Sequence, residues 1–197
     1  RRTIKLQGAG MNILMSCGRF YPSVALVRAL SATGARIDAA DPYKLAPALH
    51  SHAVAKGHVV AAPAHDPLRF IEGVIGIVKD RSIDLVVPSF EEGFYLSRYR
   101  DAVPAPIFAP PFETIEALHN KGRFVHLCTE LGLPTPKTIV ASTPEELRRA
   151  VEGGIVGDFV ARPAFSRGGQ TYFTNHGPRV GEMSVADCQP TSDNPWL

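Results

Sequence analysis

The stretch that decides the fold of this chain runs from Asp158 to Phe173 and reads DFVARPAFSRGGQTYF. Side chains of alternating character from Phe159 to Arg162 predict a short β-strand, because successive side chains of a strand point to opposite faces. A turn over residues 166–169 follows, since paired glycines adopt positive φ angles without steric cost. Residues 171–173 are again typical of a strand. The stretch therefore predicts a β-hairpin that carries the cation Arg162 close to its turn.

This hairpin allows two interpretations. The strand cation Arg162 and the turn residues Ser166, Arg167, Gly168 and Gly169 suit a polyanion such as a nucleoside triphosphate, because guanidinium groups and free backbone N–H groups both bind phosphate oxygens. An ordinary hairpin with a Gly-Gly turn explains the same residues equally well. The rest of the chain has to decide between them.

Composition places the chain among ordinary globular proteins. Its 197 residues are 45% hydrophobic and 20% charged, and a formal net charge of +2 gives no electrostatic reason to expect a nucleic-acid partner. No run of 18 apolar residues indicates a membrane span. The three cysteines are widely separated and lack metal-site spacing, so we expect reduced thiols in a cytoplasmic protein. Met11 resembles a natural start, and residues 1–10 are left out of the fold prediction.

Residues 11–110 show buried-type strands alternating with amphipathic helices. Strands are predicted over residues 12–16, 36–40, 58–62, 84–88 and 106–110. One helix is predicted from Ser23 as N-cap to Gly34, with Val24, Leu26, Val27 and Leu30 inward. A second helix follows the N-cap Asp66 and is predicted to bury Phe70, Ile71, Val74, Ile77 and Val78. The alternation predicts a parallel sheet with helices on both faces.

The pattern changes after residue 110. Helices are predicted over residues 113–118 and from Asn120 to Gly132, the second with an apolar stripe of Phe124, Leu127, Cys128 and Leu131. A strand is expected over residues 138–141, and a capping box at residues 143–146 opens a helix that runs to about residue 151. We therefore expect a helical linker over residues 111–133 and a smaller α+β unit over residues 134–197.

Two glutamates stand at the carboxyl end of the fourth predicted strand. Open α/β sheets bind ligands at that edge, so Glu91 and Glu92 are candidate site acids. Glutamates in the first turn of a helix are also favoured by the helix dipole, and this structural explanation is the better supported of the two.

Other cofactor sites find less support in the sequence. A dinucleotide site needs a G-x-G-x-x-G loop after the first strand, whereas that loop offers only Gly18, although Asp41 could serve as the acid that follows the second strand. His50, His52, His58 and His65 lie close together without the i, i+4 spacing of a helical zinc motif, so solvated loop histidines are the preferred interpretation. No metal ligand is assigned.

Four segments of the chain resemble the ATP-grasp superfamily. They are residues 120–124, 131–138, 143–147 and 160–169. Arg162, where many members have lysine, makes the chain most similar to the large subunit of carbamoyl-phosphate synthetase. The front part looks like the Rossmann-like domain that precedes ATP-grasp domains. The resemblance implies an α/β fold: a Rossmann-like parallel sheet with helices on both faces, followed by a small α+β subdomain of a truncated ATP-grasp domain.

The resemblance also implies a function and a set of site residues. Lys121 and Arg162 match positions that contact ATP phosphates, and the turn that contains Ser166, Arg167, Gly168 and Gly169 matches one that closes over them. The implied parent is an ATP-dependent carboxylate–amine ligase that uses ATP and Mg²⁺, forms an acyl phosphate and binds a small carboxylate, for which Glu91 and Glu92 are weaker candidates.

The family continues past a position like Trp196-Leu197 into the hinge strand that holds adenine and a subdomain with metal ligands. This chain is therefore expected to be inactive alone and to hold no cofactor tightly. Two alternatives stay open: a non-catalytic nucleotide-binding or regulatory module, and a Rossmann oxidoreductase. We expect neither a nucleic-acid nor a membrane partner, and a homodimer is left open.

Overall fold

The computed structural model describes residues 10–153, 157–166 and 171–197, and the statements below refer to these ranges. The chain divides into two compact units, one ending at Phe112 and the other comprising residues 113–197. Within the described ranges, no helix combines the length and the apolar character needed to cross a membrane.

The first unit is built on a parallel β-sheet in the spatial order β3-β2-β1-β4. Its strands are β1 (Asn12–Ser16), β2 (Arg36–Asp41), β3 (Lys56–Val59) and β4 (Leu85–Val87). The register pairs Ile13 of β1 with Ile37 of β2 and with Leu85 of β4. The predicted parallel sheet is confirmed. The fifth predicted strand is reduced to a single parallel bridge between Val86 and Ile107.

Helices cover both faces of this sheet. They are α1 (Tyr21–Ser31), α2 (Pro67–Arg81) and α3 (Glu92–Arg98), with 3₁₀ turns at Pro47–His50 and Arg100–Ala102. Successive residues of β1 point to opposite faces. Leu14 accordingly packs in a buried cluster with residues of α2 and α3, whereas Ile13 and Met15 pack with Val27 of α1. The central strand is buried on both sides, as parallel sheets of this type require.

Helix α2 follows its sequence signals closely. The side chain of its N-cap, Asp66, accepts a hydrogen bond of 3.0 Å from the backbone N–H of Arg69, and Pro67 is the first helical residue. All five residues predicted to be buried are buried: Phe70, Ile71, Val74, Ile77 and Val78. Local capping and periodicity together therefore determine this element.

Helix α1 departs from its prediction. It begins at Tyr21, and Ser23, predicted as N-cap, is a buried residue inside the helix whose hydroxyl donates to the carbonyl of Cys17 at 2.8 Å. The helix ends at Ser31 rather than at Gly34, and Leu26 is exposed. Pro22 explains the early start, because its fixed φ suits the first turn and its missing N–H needs no partner there.

A buried aspartate on β2 organises a cluster of charges. Asp38 is 1% exposed, and its carboxylate accepts hydrogen bonds from Arg81 Nε at 2.7 Å and Arg36 Nη2 at 3.5 Å, with His58 Nε2 at 2.8 Å. The prediction of solvated loop histidines is wrong for His58, which lies on β3 and is drawn to this carboxylate. Burial alone would raise the pKa of Asp38, but the hydrogen bonds from Arg81 and His58 outweigh it and hold this pKa below its usual 3.8.

The second unit contains helices and a short hairpin. Its helices are α4, which starts at the unit boundary (Phe112–His119), α5 (Lys121–Glu130) and α6 (Pro144–Gly153), and its short strands are β5 (Val160–Ala161) and β6 (Phe173–Thr174). The antiparallel pairs Val160–Thr174 and Ala161–Phe173 form the predicted hairpin. The turn residues 167–169 lie outside the described ranges.

Two other predictions for this unit need correction. The strand expected over residues 138–141 is reduced to a bridge at Ala141. The apolar stripe expected on α5 is not buried as a whole, since Cys128 is buried whereas Phe124 and Leu131 are 44% and 65% exposed. Periodicity alone indicates an apolar face without specifying what covers it.

The C-terminal residues form a pairing that the sequence did not predict. Trp196 exchanges backbone hydrogen bonds with Ala141, both 2.8 Å long, and Leu197 exchanges two of 2.9 Å with Arg162. The side chain of Trp196 is 4% exposed and packs with Ala141, Leu147, Ala161 and Cys188. This segment therefore joins two separate parts of the second unit into one small antiparallel arrangement.

The Asp38 cluster predicts a stability effect with a defined pH dependence. Asp38→Asn removes the carboxylate from three cationic or protonatable partners, so the free energy of unfolding should fall by about 3 kcal/mol at pH 7. A lowered folded-state pKa stabilises the fold above the unfolded-state pKa of about 3.8, and this stabilisation is lost as pH falls through the folded-state value. Urea unfolding of the two proteins should therefore differ at pH 7 and converge as the pH falls from 3.8 through the lower folded-state pKa of Asp38.

Asp80→Asn provides the matched control, because Asp80 is an exposed aspartate of the same helix that supplies Arg81. An equal loss of stability in the two variants would contradict the role given to the buried carboxylate.

The Trp196 cluster predicts a large packing effect. Trp196→Ala should lower the free energy of unfolding of the second unit by about 3–5 kcal/mol, because it leaves a cavity beside Ala141 and Leu147. Circular dichroism should show the loss, and Leu133→Ala, which truncates an exposed side chain, should change little. A similar small effect of both changes would contradict the packing seen at Trp196.

Candidate functional site

A cleft of about 690 Å³ lies within the second unit. Its walls come from α5, the connector before α6, α6 itself and the extended segment 158–162, which contains β5 and Arg162. Three cationic side chains line it, Lys121, Lys137 and Arg162, together with the carboxylate of Asp158 and the imidazole of His176. Apolar side chains line it as well, among them Val125, Ile139, Leu147 and Val160. A concave site with an apolar wall and a few convergent charges is typical of small-molecule binding sites.

Lys121 is fixed by both its backbone and its side chain. It is the first residue of α5, whose N-cap Asn120 accepts hydrogen bonds from Gly122 N and Arg123 N at 3.0 and 3.1 Å. Its ammonium group donates to the carbonyl oxygens of Ala164 at 3.0 Å and Ser166 at 2.7 Å. The chain thus holds this cation against the segment between β5 and the predicted turn.

Arg162 is held by its backbone while its side chain is exposed. Its N–H and C=O each pair with Leu197 at 2.9 Å. Within the described ranges, no side chain or carbonyl forms a hydrogen bond or ion pair with its guanidinium group. A cation held in this way can reach an anion in the cleft without first breaking an internal ion pair.

The structure brings some predicted site residues together and leaves others open. Lys121 and Arg162 line one cleft, and the Ser166 hydroxyl donates to the carbonyl of Pro163 at 3.0 Å. Arg167, Gly168 and Gly169 lie outside the described residues, so their contribution stays a prediction.

Sequence reasoning missed Lys137 as a site residue. It is exposed, and it follows the stiff Pro134-Thr135-Pro136 connector that carries the chain along one wall of the cleft. Lys137 could have been identified from the sequence, because it lies in residues 131–138, one of the four segments that resemble the family. Lys137 raises to three the cationic groups that line this cleft, which increases its attraction for a polyanion.

Glu92 connects two segments of the first unit through hydrogen bonds. Its carboxylate is buried, and Oε1 accepts hydrogen bonds from Ser16 Oγ at 2.7 Å, Ser89 N at 2.9 Å and Phe90 N at 3.2 Å. The bonds tie the carboxyl end of β1 to the loop after β4, where the strand order reverses direction. Glu91 is less buried and occupies the N-cap position of α3. The contacts favour a structural role for Glu92, and a substrate role for either residue stays a prediction.

The loop after β1 is hydrogen-bonded to the end of β2. Gly18 N donates to Ala40 O at 3.2 Å, and Arg19 N donates to Asp41 Oδ2 at 3.0 Å. Asp41, the candidate ribose ligand of a dinucleotide site, also accepts a bond of 2.7 Å from Tyr43 N. These N–H groups and this carboxylate are therefore engaged within the protein, which argues against the oxidoreductase alternative.

Neither a reactive thiol nor a metal cluster accompanies this loop. Burial, reinforced by the negative charges of Glu92 and Asp41, raises the pKa of the Cys17 thiol to about 12, so Cys17 is a poor nucleophile at neutral pH. All three cysteines are described, and all are free thiols. Within the described part of the chain, no group of three or more His, Cys, Asp and Glu side chains is arranged to hold a metal ion.

Comparison with curated proteins shows one clear resemblance. The chain is 33% identical over 112 residues to the large chain of carbamoyl phosphate synthase from Deinococcus radiodurans and equally to that from Deinococcus deserti. The match covers 55% of this chain and 11% of each relative. No protein-family model matches the chain.

Solved structures show the same relationship at the level of the fold. An L-amino acid ligase from Bacillus licheniformis has a TM-score of 0.60 at 18% identity, with 79% of this chain and 38% of that one covered. A biotin carboxylase in complex with β,γ-ATP, from Campylobacter jejuni, has a TM-score of 0.64 at 14% identity, with 84% of this chain and 38% of that one covered. An N5-carboxyaminoimidazole synthetase from Staphylococcus aureus has a TM-score of 0.60 at 12% identity, with 87% of this chain and 42% of that one covered.

The chain thus spans about one-tenth of its curated relatives and about four-tenths of these structures. It shares its fold with part of the ATP-grasp enzymes, and its sequence resembles the large chain of carbamoyl phosphate synthase.

Proposed function

We propose that the second unit binds the phosphate groups of ATP as part of an ATP-dependent carboxylate–amine ligase. The observation that carries the proposal is the convergence of Lys121, Lys137 and Arg162 on one cleft. These residues come from a helix, a connector and the position directly after β5, which are separated in sequence, so a single solvated charged segment does not explain their convergence. Asp158 also lines the cleft, with its carboxylate 3.5 Å from Nδ1 of His176. The remaining excess of positive charge suits a polyanion such as the triphosphate of ATP.

The apolar part of the cleft supports the same ligand. Val125, Ile139, Leu147 and Val160 line it beside the three cations, and a nucleotide presents an apolar base together with charged phosphates. Among the solved structures with the same fold are a carboxylase bound to MgADP and bicarbonate and a synthetase bound to ADP. These ligands support a nucleotide here and a small carboxylate as the second substrate.

The proposed chemistry assigns separate tasks to the residues of this chain. Lys121 and Arg162 would neutralise and orient phosphate oxygens, which is the main contribution that proteins make to phosphoryl transfer. In the parent enzyme ATP and Mg²⁺ would supply the phosphoryl group and the bridging positive charge. A carboxylate oxygen would attack the γ-phosphorus with ADP as leaving group, and an amine would displace phosphate from the resulting acyl phosphate. A non-catalytic nucleotide-binding module would use the same cleft without these two steps.

Arg162 allows a direct test of the proposal. In a form of the protein that binds ATP measurably, Arg162→Ala should weaken binding by roughly ten- to a hundredfold, because one charge-assisted contact to phosphate is lost. Isothermal titration calorimetry would measure the change, and Arg162→Lys should restore part of the affinity.

Arg148→Ala is the matched control, since Arg148 is an exposed arginine on α6 that does not line the cleft. Unchanged affinity in Arg162→Ala, or an equal loss in Arg148→Ala, would reduce Arg162 to a structural residue.

A second test separates a ligase from a binding module. We expect the 197-residue chain alone to bind ATP in the millimolar range or not at all and to release no ADP, because it spans only about four-tenths of each related structure. A longer form that releases ADP only when a carboxylate is present would support the ligase, whereas ATP binding without turnover would support the module. Magnesium-dependent ADP release by the 197-residue chain, abolished by Arg162→Ala, would show that its own residues form a complete site.

A further inference from the structure

Asn194 binds the backbone of Phe165 on both sides of its Cα, in the segment that precedes the predicted turn. Its Oδ1 accepts a hydrogen bond from Phe165 N at 2.8 Å, and its Nδ2 donates to Phe165 O at 3.4 Å. The neighbouring backbone bond runs from Ala164 N to Pro195 O at 2.7 Å. The side chain of Asn194 therefore continues the pairing of the C-terminal segment one residue beyond the point where backbone bonds end.

Lys121 contacts the first of these two peptide groups from its other end. The N–H of Phe165 and the C=O of Ala164 belong to one planar trans peptide, in which these two groups point in opposite directions. Asn194 binds the N–H end at 2.8 Å, and the Lys121 ammonium binds the C=O end at 3.0 Å. A hydrogen bond accepted from the N–H also polarises the carbonyl, which strengthens its bond to the cation.

The second carbonyl that holds Lys121 depends on the same residue. Ser166 O accepts from the ammonium at 2.7 Å, and Ser166 directly follows the residue that Asn194 binds. The ammonium group can bind both carbonyl oxygens only while the distance between Ala164 O and Ser166 O stays constant. Because Phe165 lies between these two residues, holding Phe165 in place restrains that distance. Asn194 is itself oriented by Thr191, whose hydroxyl accepts from Asn194 N at 3.0 Å.

We propose that Asn194 is a positioning residue for Lys121. It holds the peptide plane between Ala164 and Phe165, and this plane in turn holds the ammonium group at the edge of the cleft. That Lys121 is positioned for a phosphate rests on the proposed function. The contacts among Asn194, Phe165, Ala164 and Lys121 are present without a nucleotide. The two proposals can therefore fail independently.

The test measures the reactivity of Lys121 without any ligand. Acetylation of the purified 197-residue chain by an N-hydroxysuccinimide ester, followed by mass spectrometry, gives a rate for each lysine. Asn194→Ala should raise the rate at Lys121 about fivefold, the factor that corresponds to one net hydrogen bond. Lys137, exposed in the same unit, is the internal reference and should not change. Asn194→Asp keeps the acceptor for Phe165 N–H and should stay close to the original rate.

Asn175→Ala is the matched control for a purely structural effect. Asn175 has an equivalent carboxamide pairing in the same unit, since its Oδ1 accepts from Phe159 N and its Nδ2 donates to Gly157 O, both at 2.9 Å. Its removal should leave the rate at Lys121 unchanged. An equal increase in Asn175→Ala and Asn194→Ala, or an unchanged rate in Asn194→Ala, would overturn the proposal.

Thr191→Val gives a second variant in case Asn194→Ala unfolds the unit, which circular dichroism would reveal. It removes the hydroxyl that orients Asn194 and leaves the carboxamide in place. The expected increase at Lys121 is about twofold, as for a partly retained hydrogen bond. A folded Thr191→Val protein with an unchanged rate at Lys121 would count against the proposal.

Discussion

The antiparallel pairing of Pro195–Leu197 with residues 162–164 is the interaction on which the second unit depends. Local strand structure there is slight, because β5 and β6 have two residues each and an isolated two-stranded hairpin is only marginally stable in water. The C-terminal segment adds backbone hydrogen bonds on the strand of Arg162 and, through Trp196, on Ala141. It also buries the indole of Trp196 against α6, which brings the helix and the strands into one core. The position of Arg162 in the cleft follows from this pairing.

Elements governed by local signals could be predicted from the sequence. Helix α2 has an N-cap aspartate, a proline in its first turn and five apolar residues at helical spacing, and these signals agree with one another. The parallel sheet followed from short apolar strands that alternate with such helices. The family resemblance led us to expect Lys121 and Arg162 at a phosphate site. In the structure both residues line one cleft.

Elements governed by distant contacts could not be predicted. The segment from Asn194 to Leu197 carries no periodicity and joins residues more than 30 and 50 positions away, at Arg162 and Ala141. Ser23 shows the same limitation on a smaller scale. It has the composition of an N-cap, yet its hydroxyl bonds to Cys17 and lies 2.8 Å from the hydroxyl of Ser89, which is remote in sequence. His58 is drawn from the solvent by Asp38, a buried charge that the strand pattern alone does not reveal.

Buried carboxylates have a common role in the first unit. Asp38, Asp41 and Glu92 each accept several hydrogen bonds from nearby groups of the same unit, as buried charges must to offset their desolvation. Asp41 and Glu92 lie at the carboxyl edge of the sheet, where a ligand would be sought first, and their bonds instead close the loops at this edge. Their hydrogen bonds therefore give Asp41 and Glu92 a structural role at this edge, and the cationic cleft of the second unit is the ligand site that we propose.

The two predicted phosphate anchors reach the cleft by different physical means. Lys121 has a flexible stem, and two carbonyl dipoles restrict its ammonium group to one place. Arg162 has a rigid planar fork, and its backbone is restricted by the strand pairing while its side chain is exposed. A flexible cation gains most from such restriction, because less conformational entropy is then lost when an anion binds. An arginine on a paired strand gains less, since its fork already presents its donors in a fixed geometry. The site thus combines one cation that the protein holds in place with one whose side chain extends into the cleft from a fixed strand.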